Sequence, residues 1–177
     1  DLDRSPDRSE QLVGVYRVLT QKGADAAGGF YSATEFDLDP LLKSGRNLLE
    51  LGRSCLRKSY RGGSAMFYLW QGLSTLIVKE DAEILFGTAS FKGTNIAAIA
   101  QPLSLLYEEY LTTMDLRPKV LPQAYVSLNQ LKKSQIERLT ALKAMPALIK
   151  AHLRLGGGVA DGAFIDQNFN TIDVCMV

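Results

Sequence analysis

Hydrophobic and polar positions follow two different rhythms along this chain, and the changes of rhythm mark its elements. Residues 12–19, Leu-Val-Gly-Val-Tyr-Arg-Val-Leu, are β-branched and apolar and read as a strand. Residues 47–56 and 84–90 read the same way, 124–128 as a further short strand, and 163–165 and 171–177 as two closing strands. Helical spacing takes over where Met66, Phe67, Trp70, Leu73, Leu76 and Ile77 recur, which predicts a helix from Ser64, its N-cap, to about Glu80. That helix carries no charge before Lys79 and is expected to be buried on most sides. Thr94 or Asn95 caps a second helix reaching Leu111. Ser134 opens a third, interrupted by Pro146 and closed by Gly156-Gly157-Gly158.

The remaining stretches lack either rhythm. Residues 1–10 are polar and expected to fray, and 22–29, with three glycines and three alanines, reads as a flexible loop. Residues 30–42 form an irregular piece in which Asp37-Leu38-Asp39-Pro40 is a turn or the first turn of a helix. Strands, helix, strand, helix, helix, strands is the order of a single α/β (α+β) domain.

Composition narrows the chemistry. At 177 residues the chain fits one domain able to bury a core. Twenty Lys and Arg against nineteen Asp and Glu leave a net charge of +1, so no large basic field drives non-specific nucleic-acid binding, which leaves only a local basic patch open. His152 is the single histidine and no C-x-x-C occurs, which removes a multi-histidine metal site and leaves any Ser-His or Cys-His mechanism dependent on that one residue. Its place near the end of the third helix gives it a structural or solvated role. Cys55 and Cys175 lie in apolar strand runs and read as structural thiols in a reducing compartment. Asp1-Leu2-Asp3-Arg4 does not resemble a signal peptide. The uncharged stretch 62–78 holds too many Gly, Ser, Thr and Gln residues for a membrane span.

Two features carry candidate chemistry. The strand 48–56 runs into a basic glycine loop, Arg57-Lys58-Ser59-Tyr60-Arg61-Gly62-Gly63, and then into the helix from Ser64. A helix N-terminus with glycines and cations beside it suits a phosphate; a plain β–α connection with solvated charges is the alternative. Glu50 and Arg53 stand within an apolar run, three residues apart. Strict alternation puts them on opposite faces of a sheet, whereas a bulge at Gly52 brings them together. Each then needs a partner or a function, and a mutual ion pair is one solution.

At this point Glu50-Leu51-Gly52-Arg53-Ser54-Cys55, followed by Tyr60-Arg61-Gly62-Gly63, resembles the ornithine lipid synthases, N-acyltransferases of the GNAT superfamily. Three further blocks resemble them in the same order. They are Phe30-Tyr31-Ser32 with Glu35-Phe36-Asp37-Leu38, Leu85-Phe86-Gly87 with Ala89-Ser90-Phe91, and the tail from Leu153 through Asp166-Gln167-Asn168-Phe169-Asn170 to Asp173. The Glu-x-x-Arg-Ser core is also similar to acyl-homoserine-lactone synthases. The chain starts without Met, stops at Val177 inside an apolar pattern, and lacks the strand and helices that open full-length members. The expectation is a single GNAT-like domain, 1–177, with its N-terminal part missing.

The resemblance implies a GNAT-type fold with a mixed central sheet flanked by helices and two splayed central strands. It implies transfer of a 3-hydroxyacyl chain from acyl carrier protein to the α-amino group of L-ornithine. Glutamine as acceptor and a signal-synthase reaction on S-adenosylmethionine are the alternatives. Glu50 is then the base and Arg53 its orienter or a carboxylate binder. Arg57, Lys58, Tyr60, Arg61, Gly62, Gly63 and Ser64 are expected to hold the donor. Ser54 and Ser90 line the site, and Asp166 and Asp173 receive the side-chain ammonium, against turn capping and a surface position as the plain alternatives. The usual GNAT loop, aligned from Arg61, has Ser64 and Met66 where glycine and a small residue belong, which favours the single phosphate of phosphopantetheine over coenzyme A. The resemblance allows Tyr107 or Tyr110 to place a phenol near the departing thiolate, as in some GNAT enzymes, but packing is the favoured role. No bound cofactor or metal and no nucleic acid are implied. The location is cytoplasmic, with peripheral membrane contact because the product is amphiphilic.

Overall fold

A computed structural model of the chain describes residues 11–177, so the reading of residues 1–10 lies outside the described residues. The elements follow in the order β1 (Gly14–Thr20), α1 (Gln21–Ala27), a 3-10 turn (Tyr31–Thr34), β2 (Phe36–Asp37), α2 (Asp39–Leu42) and β3 (Leu48–Leu56). Then come α3 (Ala65–Lys79), β4 (Ile84–Lys92), α4 (Ala100–Glu109), β5 (Lys119–Val120), α5 (Arg138–Ala144), α6 (Ala147–Arg154), β6 (Phe164–Asp166) and β7 (Thr171–Met176).

Five strands form the central sheet in the order β1-β3-β4-β7-β6, and β2 pairs with β5 in a separate ribbon. The sheet is mixed: β3 and β4 run parallel, and every other neighbouring pair is antiparallel. This is the α/β domain that the element order predicts, with the mixed central sheet that the family resemblance implies.

Period-two alternation sorts the strand residues onto two faces. Ala89 and Phe91 of β4 and Ile172, Val174 and Met176 of β7 pack with Leu103 and Leu106 of α4, Ala141 of α5 and Ile149 of α6. Leu49 and Leu51 of β3 meet Leu73 of α3 beside them. The opposite face, through Leu48, Ile84, Phe86 and Cys175, is covered by Phe30, Phe36, Leu38 and Leu41. Phe30 and Phe86 meet edge to face at 5.0 Å. The segment 30–41 therefore roofs one face of the sheet, and the functional side chains lie beneath it.

Several expectations change. Residues 21–27 are a helix rather than a flexible loop, because the Thr20 side chain caps Gly23 N–H and Gly28, at φ 87°, ends the turn. The helix α3 buries only Leu73, while Phe67, Tyr68 and Val78 are exposed. Its lack of charge does not report burial, since one side of it packs on the sheet, chiefly on β1 and β3, and the rest faces outward. Ser64 makes no side-chain cap. Residues 124–128 contribute a single bridge, Val126 to Ala163, and no strand. Ser134 sits in a 3-10 turn, the helices beginning at Arg138 and Ala147 around Pro146. Cys175 is fully buried but Cys55 is exposed, so only the first is a core thiol.

Candidate active site

The two parallel central strands separate halfway along. Pairing of β3 with β4 is confined to Leu48–Ile84, Leu49–Leu85 and Glu50–Phe86. At the parting point a Cβ on Gly87 would lie 2.0 Å from the Leu51 carbonyl oxygen, so only glycine fits there. Beyond it β4 continues against β7 as far as Lys92, and β3 continues against β1 as far as Leu56. Residues 52–54 and 88–90 then face each other across a cavity of about 390 Å³.

A bulge diverts β3. Val15 of β1 stands opposite Cys55 and Arg17 opposite Gly52, so Arg53 and Ser54 share the space of one partner. The bulge expected at Gly52 occurs one residue later, and Arg53 itself adopts the left-handed backbone at φ 52°.

The bulge brings Glu50 and Arg53 into the same cavity, yet they do not form the mutual ion pair that was one expectation. Glu50, 1% exposed, accepts backbone N–H bonds from Tyr31 (3.0 Å) and Ser32 (2.6 Å), and its charged neighbour is Arg17 at 3.8 Å. The Arg53 guanidinium stacks instead over the rings of Tyr31 (5.4 Å) and Phe169 (5.2 Å). Ser54 and Ser90 both line the cavity, as expected, and the Ser54 hydroxyl has no hydrogen-bond partner.

Beside Glu50 lies a group of three buried carboxylates, Glu35, Asp166 and Asp173, with oxygens within 4.8 Å of one another. Asp166 Oδ1 accepts the Asn168 and Phe169 N–H groups, the turn-capping role weighed for it. Asp173 is 4% exposed, so the surface position considered for it does not hold. Burial, reinforced by the negative charges of Asp173 and Asp166, pushes Glu35 up to about 7. Burial also raises Asp173, a shift that the nearby Ser90 and Thr171 hydroxyls counter only in part. Glu35 is a candidate site residue to which the sequence assigns no role, and its one local signal is a carboxylate set directly before the core residue Phe36.

The basic glycine loop lies at the other end of β3. Residues 59–65 with Leu12, Val13, Gly14, Leu56, Tyr68 and Leu69 enclose a cavity of about 850 Å³. Tyr60, Arg61, Gly62, Gly63 and Ser64 line it, whereas Arg57 and Lys58 stand outside, exposed. Arg61 is held by a bond from its Nε to the Leu56 carbonyl at 3.1 Å. Tyr107 and Tyr110 pack against the core, and His152, whose imidazole burial pushes down, meets Trp70 edge to face at 5.7 Å. None of these three lines either cavity.

Comparison with known proteins agrees with this geometry. An acetyltransferase (GNAT) domain model matches residues 4–71. An L-ornithine N(alpha)-acyltransferase of Rhodobacter capsulatus is 45% identical over 177 residues, covering 100% of this chain and 68% of that protein. Proteins of the same name from Brucella abortus and Agrobacterium fabrum are 41% and 39% identical. The alignments cover 95% and 99% of this chain but 60% and 61% of those relatives. No solved structure matches. With a splayed mixed sheet, the Glu50 and Arg53 cavity and 39–45% identity to these relatives over 95–100% of its own length, the chain belongs to the L-ornithine N(alpha)-acyltransferase family of GNAT-type acyltransferases.

Proposed function

We propose that this domain transfers a 3-hydroxyacyl chain from the phosphopantetheine of acyl carrier protein to the α-amino group of L-ornithine, giving a lyso-ornithine lipid. The observation that carries the reading is the gap between β3 and β4, with unpaired strand edges on both sides and a buried carboxylate at its apex. A pantetheine arm is an extended amide chain, and an open strand edge offers it the N–H and C=O partners of a missing strand.

The reaction is aminolysis of a thioester. The amine nitrogen forms a bond to the thioester carbonyl carbon, the C–S bond breaks, and the thiolate leaves with a proton as free thiol. Glu50 accepts the amine proton directly or through one water, its carboxylate fixed by the Tyr31 and Ser32 N–H groups. Arg53 sits over Tyr31 and Phe169 at the cavity edge, placed to meet the carboxylate of the amino acid. Backbone N–H groups of the bulged strand stabilise the tetrahedral oxyanion. Direct aminolysis needs no acyl-enzyme, and Cys175, buried and pushed well up, is unsuited to act as a nucleophile.

The loop lined by Tyr60, Arg61, Gly62, Gly63 and Ser64 holds the single phosphate of the donor at the start of α3, while Arg57 and Lys58, exposed outside the cavity, meet the acidic surface of the carrier protein. No helix among the described residues is long and apolar enough to cross a membrane. Because the acyl donor is a carrier protein and the product is amphiphilic, we place the protein in the cytoplasm with peripheral membrane contact. Thiol release from 3-hydroxyacyl carrier protein, with ornithine, glutamine and S-adenosylmethionine offered separately, tests the reading. Release with ornithine supports it. Release with only one of the others moves the substrate.

A further inference from the structure

We infer that Glu35, Asp166 and Asp173 form a subsite for a primary ammonium, which takes the side-chain cation of the amino-acid substrate and sets a preference for a diamino acid over a neutral one. The inference rests on the acceptor amino acid binding in the Glu50 cavity, as proposed above.

The first ground is the unmet bonding of the cluster. Glu35 Oε2 and Asp173 Oδ1 are buried without a hydrogen-bond partner, in residues 3% and 4% exposed. Among the described residues no Lys or Arg is ion-paired with any of the three carboxylates. An orphaned buried carboxylate oxygen is costly, and native sites retain such groups where a ligand supplies the partner. A primary ammonium carries three N–H donors and no acceptor, which matches three converging oxygens. Asp166 spends Oδ1 on its own turn, so its other oxygen is the one left for a ligand.

The second ground is placement. Asp173 and Thr171 line the same cavity as Glu50 and Arg53, so a cation held there belongs to a molecule that also reaches the base. One short segment fixes both ends of the site: Tyr31 and Ser32 donate to Glu50, and Glu35 follows directly after their 3-10 turn. The Ser32 and Thr88 hydroxyls, 3.2 Å apart, tie that turn to β4. An amino acid with its α-carboxylate toward Arg53 and its α-amine toward Glu50 then extends its side chain toward the acids. Because Glu50 and Glu35 are tied to the same turn, the distance between base and acid is fixed there and selects side-chain length.

Calorimetry on the purified protein tests this with L-ornithine and L-norvaline, which share a carbon skeleton and differ by the terminal amine. Ornithine is expected to bind about tenfold tighter or more, the size of one charge-assisted hydrogen-bonded pair. Glu35→Gln and Asp173→Asn should each bring the two ligands within about threefold while norvaline affinity stays unchanged, which also shows that the variants are folded. Wild-type protein that binds both ligands equally, or variants that keep the tenfold ratio, overturn the inference. So does a rise in melting temperature with calcium or manganese that the variants abolish while ornithine preference survives, since the cluster would then hold a divalent ion. Thiol release is followed in parallel. Loss of ornithine preference without thiol release leaves the ammonium subsite standing and removes the acyl transfer, and unchanged ornithine KM in both variants does the reverse.

Discussion

Replacing Glu35 by Gln should flatten the pH dependence of stability. The side chain is 3% exposed, and burial together with the charges of Asp173, Asp166 and Glu50 raises it from an ordinary 4.5 to about 7. Between those two values the folded protein holds a proton that the unfolded chain has lost. Stability from this group is therefore fully present below about pH 4.5, falls as pH rises, and is gone above about 7. At about 1.4 kcal/mol per pH unit of displacement, the loss is roughly 3 kcal/mol. Asp173 is raised too and contributes with the same sign, so only the difference between wild type and Glu35→Gln isolates this residue. Urea melts at pH 4.5 and 8 should show the wild type losing roughly 3 kcal/mol more than the variant, a difference of about 6–12 °C in Tm for a chain of this size. Saturating ornithine should shrink that difference, because an ammonium beside Glu35 favours its ionised form. Wild-type and variant profiles that run parallel within about 1 kcal/mol would show that Glu35 is not desolvated among the acids, and the argument built on its burial would fail.

Further perturbations bear on the cavity itself. Glu50→Gln should lower thiol release by about 10²–10⁴-fold, the usual share of a general base, and cost about 1–3 kcal/mol because the Tyr31 or Ser32 N–H then faces an amide NH₂. Full activity in that variant would exclude Glu50 as the base. Gly87→Ala drives a methyl into the Leu51 carbonyl and should destabilise by about 2–4 kcal/mol in chemical denaturation; an unchanged midpoint would mean that the strands do not meet there. Arg53→Gln removes an exposed cation stacked on Tyr31 and Phe169, so KM for the amino acid should rise while Tm stays within about 2 °C, and an unchanged KM would free Arg53 of substrate binding.

The five strands of the central sheet and the long helix were legible because β-branched runs and helical spacing are local signals, as the nine-residue strands Leu48–Leu56 and Ile84–Lys92 show, whereas α1 and the two-residue strands β2 and β5 were not. Pairing of Glu50 and Arg53 on one cavity was legible through the charges in an apolar run and the adjacent glycine. The residue that takes up the bulge was not, because sequence puts glycine first in the left-handed region and tertiary stacking on Tyr31 and Phe169 places Arg53 there instead. Exposure of α3 was misread because absence of charge speaks to composition and not to what covers a face. Glu35 escaped notice because its partners lie 131 and 138 residues away, and no spacing rule reaches from the 3-10 turn to β6 and β7.

Acyl transfer at the gap between β3 and β4 is tested most directly by thiol release. The substrate is 3-hydroxyacyl carrier protein with L-ornithine, acyl-coenzyme A is the competing donor, and the Glu50→Gln protein is the control. Ornithine-dependent thiol release from the carrier protein, with one N-acylated ornithine per thiol and loss in the control, is the predicted result. No thiol from either donor with any amino acid, in protein that retains its cooperative melt, would contradict the account.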